Sequence, residues 1–139
     1  MSDLDHARSM LVMAQKDLNA LKGMRDTQTF ADEIFGFHAQ QTVEKSLKAW
    51  LAALEVEYPL THDISKLLTE LENQGCQVEP FWDFVEYNIF AVQFRYMAFD
   101  ITDEPLDRLA ILLNVQALFD HVRNVIDRKK NTGQVNSLA

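Results

Sequence analysis

Phe37-His38-Ala39-Gln40-Gln41-Thr42-Val43-Glu44-Lys45-Ser46-Leu47-Lys48-Ala49-Trp50-Leu51 is the stretch on which the reading of this chain turns. At about 100° per residue, Gln41, Lys45 and Lys48 share one helix face. Val43, Leu47, Trp50, Leu51 and Leu54 gather on the opposite face, which supplies an apolar stripe for a core. Two amines beside a carboxamide suit phosphate oxygens and a polar base edge. A solvated helix face, with Lys48 paired locally to Glu44, explains the same spacing, so both readings stand.

Helical periodicity continues in both directions. Upstream, Leu4, Ala7, Leu11, Ala14, Leu18 and Leu21 recur at spacings of three and four. Ser2 or Asp3 suits the cap of this helix and Gly23 its end. The central stretch extends to a second helix from about Phe30 to about Leu54. Gly36 inside it predicts a close approach of backbones. Pro59 breaks the chain, Thr61 is read as the cap of a third helix with Asp63 in its first turn, and Gly75 ends it.

From Pro80 a fourth segment carries Phe81, Trp82, Phe84, Val85, Tyr87, Ile89, Phe90, Val92 and Phe94. That is too apolar for water all round, so it is either a central helix or half of an interface. Pro105 opens a last helix, expected to reach about Asp127 on Leu106, Leu109, Leu113, Phe119, Val122 and Ile126. The tail, residues 128–139, has no apolar pattern and is expected to fray. The expectation is one domain, residues 1–127.

Composition sets the outer bounds. With 139 residues, 47% of them hydrophobic, four glycines and three prolines, the chain is long and apolar enough for one globular core. No apolar run approaches the roughly 20 residues that span a bilayer. The acidic start, Met1-Ser2-Asp3-Leu4-Asp5, reads as no signal peptide. Cys76 is alone, which excludes an intrachain disulfide and a cysteine-based zinc site. These features point to the cytosol and away from the membrane. A formal net charge of -8 argues against broad DNA binding, since counterion release needs a basic footprint.

Three pieces of the sequence resemble the HEPN family. They are the block from Phe37 to Leu51, the segment from Pro59 through Ile64 with Thr61-His62-Asp63, and Arg95-Tyr96 after the aromatic segment. The resemblance implies an all-α fold, a five-helix HEPN-like bundle with an up-and-down four-helix core. It also implies one of two roles. Many members resemble toxin ribonucleases, with Arg followed four to six residues later by His. Others lack that pair and act as nucleotide-binding or partner modules, often beside a minimal nucleotidyltransferase. Here Asp100, Ile101 and Thr102 stand where the His after Arg95 would be, and no other arginine has a His at that spacing. The missing imidazole removes the obvious general acid or base.

The candidate ligand-binding residues are Gln41, Lys45, Lys48, His62, Arg95 and Phe37. His62 sits at a helix start, where an anion would be attracted, although helix capping by Thr61 and Asp63 explains the segment with no ligand. Phe37 stacks on a base or belongs to the core. Arg95 contacts phosphate or pairs with an acid such as Asp100 or Glu104. Asp100, Asp103, Glu104 and Asp107 are explained by the helix dipole, so no metal, catalytic residue or cofactor is assigned. The expected function is a non-catalytic nucleotide- or phosphate-binding or partner module, accessory to a nucleotidyltransferase and homodimeric. The alternatives are a degenerate ribonuclease toxin, with an antitoxin partner, and a purely structural interaction protein.

Overall fold

The apolar stripes read from the sequence fold into helices, and packing among them decides which one is central. A computed structural model describes residues 3–91 and 105–138, with side chains through residue 129. Val92, Phe94, Arg95, Tyr96, Asp100, Asp103 and Glu104 lie outside the described residues. Among the described residues there are helices and turns and no strand. The helices are α1 (Asp3–Gly23), α2 (Asp32–Ala53), α3 (Ile64–Asn73), a 3-10 helix (Glu79–Tyr87) and α4 (Arg108–Leu138). None is long and apolar enough to cross a membrane. The chain is an all-α bundle.

The central helix is α2. It packs against α1, α4, α3 and the 3-10 helix, and it buries Phe35, Ala39, Val43, Leu47, Trp50 and Leu51. Against these lie Ala7, Ala14, Leu18 and Leu21 of α1, and Val115, Leu118, Phe119, Val122 and Ile126 of α4. Ile64, Leu67, Leu68 and Leu71 of α3 close the core beside them. Because α2 is covered on several sides, its polar Gln40, Thr42, Glu44 and Ser46 are buried too. The solvated-face reading put Glu44 at the surface as a partner of Lys48, whereas its side chain is almost fully covered.

The described part of the fourth segment, through residue 91, is not a central helix. Pro80 stands in the first turn of a 3-10 helix, and residues 88–91 continue as an α-helical turn. Phe84 and Phe90 are buried, Phe81, Trp82, Val85 and Tyr87 are half-buried, and Ile89 is exposed. Gly36 is explained by this segment, not by a neighbouring backbone. A Cβ there would stand 2.9 Å from Cγ and Cδ1 of Phe90, so the ring needs the missing side chain.

Arg108 decides the register of α4. Its guanidinium donates to the carbonyls of Met24 and Phe30 and to Asp32, and stacks 5.0 Å from the centre of the Phe35 ring. The inward position therefore belongs to Arg108, and Leu109 and Leu113, expected in the apolar stripe, face out. His121 meets Trp50 at 4.8 Å, so α4 runs in the same direction as α2. It also continues past the expected end at Asp127 to Leu138. Lys129, Lys130 and Gln134 favour helix and no proline intervenes, so the turns propagate beyond Ile126.

Candidate functional site

The candidate site lies where the middle of α1, the polar side of α2 and the start of α3 meet. The α3 start is held by a side-chain clamp. Asp63 is its cap, accepting from Ser65 N at 3.0 Å and Ser65 Oγ at 2.7 Å. Asn88 binds both partners, donating to Asp63 Oδ1 and accepting from Ile64 N, each at 2.9 Å. Thr61, expected as the cap, instead accepts from Asp63 N at 3.0 Å and tightens the preceding turn. These hydrogen bonds hold the Asp63 carboxyl below the usual aspartate range, led by the one from the Ser65 side chain. The clamp fixes His62 beside α2.

Glu44 is the hub. Its Oε1 accepts from His62 Nδ1 at 2.9 Å and from Gln40 Nε2 at 3.0 Å, and its Oε2 from Lys48 Nζ at 3.1 Å. Gln41 Nε2 extends the chain by donating to Gln40 Oε1 at 2.7 Å. Burial pushes the Glu44 carboxyl up, but the hydrogen bonds from Gln40 and His62, with the Lys48 charge, outweigh it. The net effect is a carboxyl below the usual glutamate range, ionised at neutral pH.

Asp17 of α1 forms a second clamp of the same make. It accepts from Lys45 Nζ at 2.6 Å and from His38 Nδ1 at 2.9 Å. Each carboxylate is thus held by one lysine and one histidine. The Lys48 side chain is 12% exposed and has the Tyr58 ring 5.7 Å away, whereas His62 is 63% exposed and forms the outer edge. Tyr58 Oη lies 2.7 Å from His6 Nε2, which ties the connector after α2 to α1.

The structure therefore brings Gln41, Lys48 and His62 into one hydrogen-bonded chain through Gln40 and Glu44. Lys45 stands in the adjoining Asp17 clamp. Phe37 is half-buried with its ring edge-on to His38, centres 5.6 Å apart. Arg95 lies outside the described residues. The cationic stripe is real, but it is paired with carboxylates. Sequence reasoning placed Glu44 only as a local partner of Lys48 and passed over Asp17, His38 and Gln40. The i, i+4 spacing from Gln40 to Glu44 and on to Lys48 was the available signal.

Among the described residues, two clefts open outside this hydrogen-bonded chain. One of about 780 Å³ is lined by Phe81, Phe84, Tyr87, Ile89, Phe90 and Ile111 among others. The other, about 510 Å³, is lined by Asp3, His6, Glu55, Glu57, Tyr58 and Leu60 among others. No group of three or more His, Cys, Asp and Glu suited to a metal ion occurs among the described residues.

A family model described as HEPN domain matches residues 7–131, nearly the whole chain. This chain belongs to the HEPN family. The match spans α1 through most of α4, so the helices that build the Glu44 and Asp17 clamps are all within the HEPN domain. No curated protein and no solved structure gives a significant match.

Proposed function

We propose that this HEPN protein is a non-catalytic module that binds a phosphate-bearing ligand, a nucleotide, at the Glu44 cluster. One observation carries the reading. Lys48 Nζ, His62 Nδ1 and Gln40 Nε2 converge on a single carboxylate within 2.9 to 3.1 Å. A carboxylate is an oxyanion, and an ammonium, an imidazole and an amide that satisfy it are the donors that satisfy phosphate oxygens. Gln41 and Phe37, on the same side of α2, offer an amide and a ring to the base. Catalysis is left out because Arg95 has no His at the spacing of the family's ribonucleases. The acidic composition and single cysteine fit a cytoplasmic setting.

The test is calorimetric titration of ATP and GTP into wild type and Lys48→Ala. Charge-assisted hydrogen bonds are worth about 1.5–3 kcal/mol, so the substitution should weaken binding roughly tenfold or more. Absence of binding at millimolar nucleotide, by wild type and by a variant lacking the Glu44 charge, rejects the proposal.

A second reading, assembly as a homodimer, is favoured by exposed apolar side chains on the aromatic segment and on α4. Ile89 is 52% exposed, and on α4 Leu109 and Leu113 are 50% and 60% exposed. Covering such side chains on two copies about a twofold axis removes them from water. Because Phe84 and Phe90 are buried within one chain, the suitable probes are Leu109→Glu and Leu113→Glu. Sedimentation equilibrium should give a dimer for wild type and monomers for the variants. A monomeric wild type at tens of micromolar ends this reading.

A further inference from the structure

The donors proposed to grip phosphate already grip a carboxylate of the chain itself. Lys48 and Glu44 cancel in charge, as do Lys45 and Asp17, so an arriving dianion meets little net attraction while both pairs are closed. While Glu44 stays in place, most of this donor set is already committed to it. His62 Nδ1 has one hydrogen to give, and Lys48 Nζ is enclosed between Glu44 and the Tyr58 ring. The exposed edge of the cluster is His62, whose other ring nitrogen is free of Glu44.

We infer that Glu44 is a built-in placeholder: it occupies the oxyanion position between Lys48, His62 and Gln40, and a phosphate-bearing ligand enters by exchange with it. The inference rests on the phosphate-binding reading above and adds its regulation. Entry begins at the His62 edge, continues as Lys48 turns from carboxylate to phosphate, and leaves Glu44 with Gln40. Affinity in the resting protein is held down because the incoming anion must displace a carboxylate whose charge then stands beside it. Removing that charge while keeping the side chain's shape releases the donors.

The experiment is calorimetric titration of ATP at pH 7 into wild type, Glu44→Gln, the double variant Glu44→Gln/Lys48→Ala, and Asp127→Asn. Asp127 is exposed on α4 and controls for the change in net charge. Glu44→Gln should bind ATP about tenfold more tightly than wild type. The double variant should lose that gain, and Asp127→Asn should match wild type. Equal or weaker binding by Glu44→Gln, with wild type binding, overturns the placeholder and leaves the phosphate reading standing. No binding by either up to millimolar ATP overturns both.

A second measurement needs no substitution. In wild type labelled at the glutamate carboxyl carbons, the Glu44 resonance should move as ATP is added, because its lysine and histidine partners leave it. A Glu44 resonance that stays in place in protein saturated with ATP overturns the exchange.

Discussion

Lys48 Nζ lies 3.1 Å from Oε2 of Glu44, one helical turn earlier on α2, and Tyr58 and His62 close over the pair. On an open helix surface such a pair contributes only a few tenths of a kcal/mol. Here Glu44 is almost wholly buried, so its partners decide whether its charge is tolerated at all.

This arrangement makes Glu44 a source of acid sensitivity. Its carboxyl titrates below the usual glutamate range in the folded chain, so the unfolded chain takes up the proton first on acidification. The stability Glu44 contributes is complete above the usual glutamate range and is lost as pH falls through the folded value. Urea unfolding of wild type and Glu44→Gln across pH 3–7 should show a stability difference that is largest at neutrality and shrinks toward pH 3. A difference independent of pH contradicts this.

Removing the buried Arg108 should be costly. Its guanidinium ties α4 to Met24 O, Phe30 O and Asp32 across the connector between α1 and α2. Arg108→Ala leaves these acceptors in a largely buried place and should cost about 2–4 kcal/mol. A lysine ammonium is a compact point charge that lacks the planar fork spanning these separated acceptors, so Arg108→Lys should recover only part of the loss. Chemical denaturation at pH 7 measures both.

Gly36→Ala should destabilise the chain in spite of alanine's better helix propensity. The added Cβ meets the Phe90 ring at 2.9 Å, and overpacking of this kind costs about 1–3 kcal/mol. Shortening the ring to Leu in Gly36→Ala/Phe90→Leu should make the alanine less costly than it is alone. A thermal unfolding cycle over the four variants gives the coupling.

Purified protein should not cleave RNA in the absence of metal. Arg95 is followed by Asp100, Ile101 and Thr102 at the positions where the family's ribonucleases carry His. Incubation with structured and single-stranded RNA checks this. Cleavage that disappears in Arg95→Ala would restore an enzymatic reading.

The sequence by itself determined the helical class and most helix limits. Apolar residues at spacings of three and four, Gly23 and Gly75 at helix ends and Pro59 between helices act within one or two turns, which is the range of backbone hydrogen bonding. The same short range made the Glu44–Lys48 pair legible. Tertiary structure decided what that spacing cannot reach. Lys45 finds Asp17 across 28 residues and Glu44 finds His62 across 18, because packing of α1 and the α3 start against α2 sets those distances. It also placed α2 at the centre, turned Arg108 inward in place of Leu109 and shaped the aromatic segment as a 3-10 helix. A helix's own periodicity says which residues share a face; only its neighbours determine whether that face meets water or another side chain's charge.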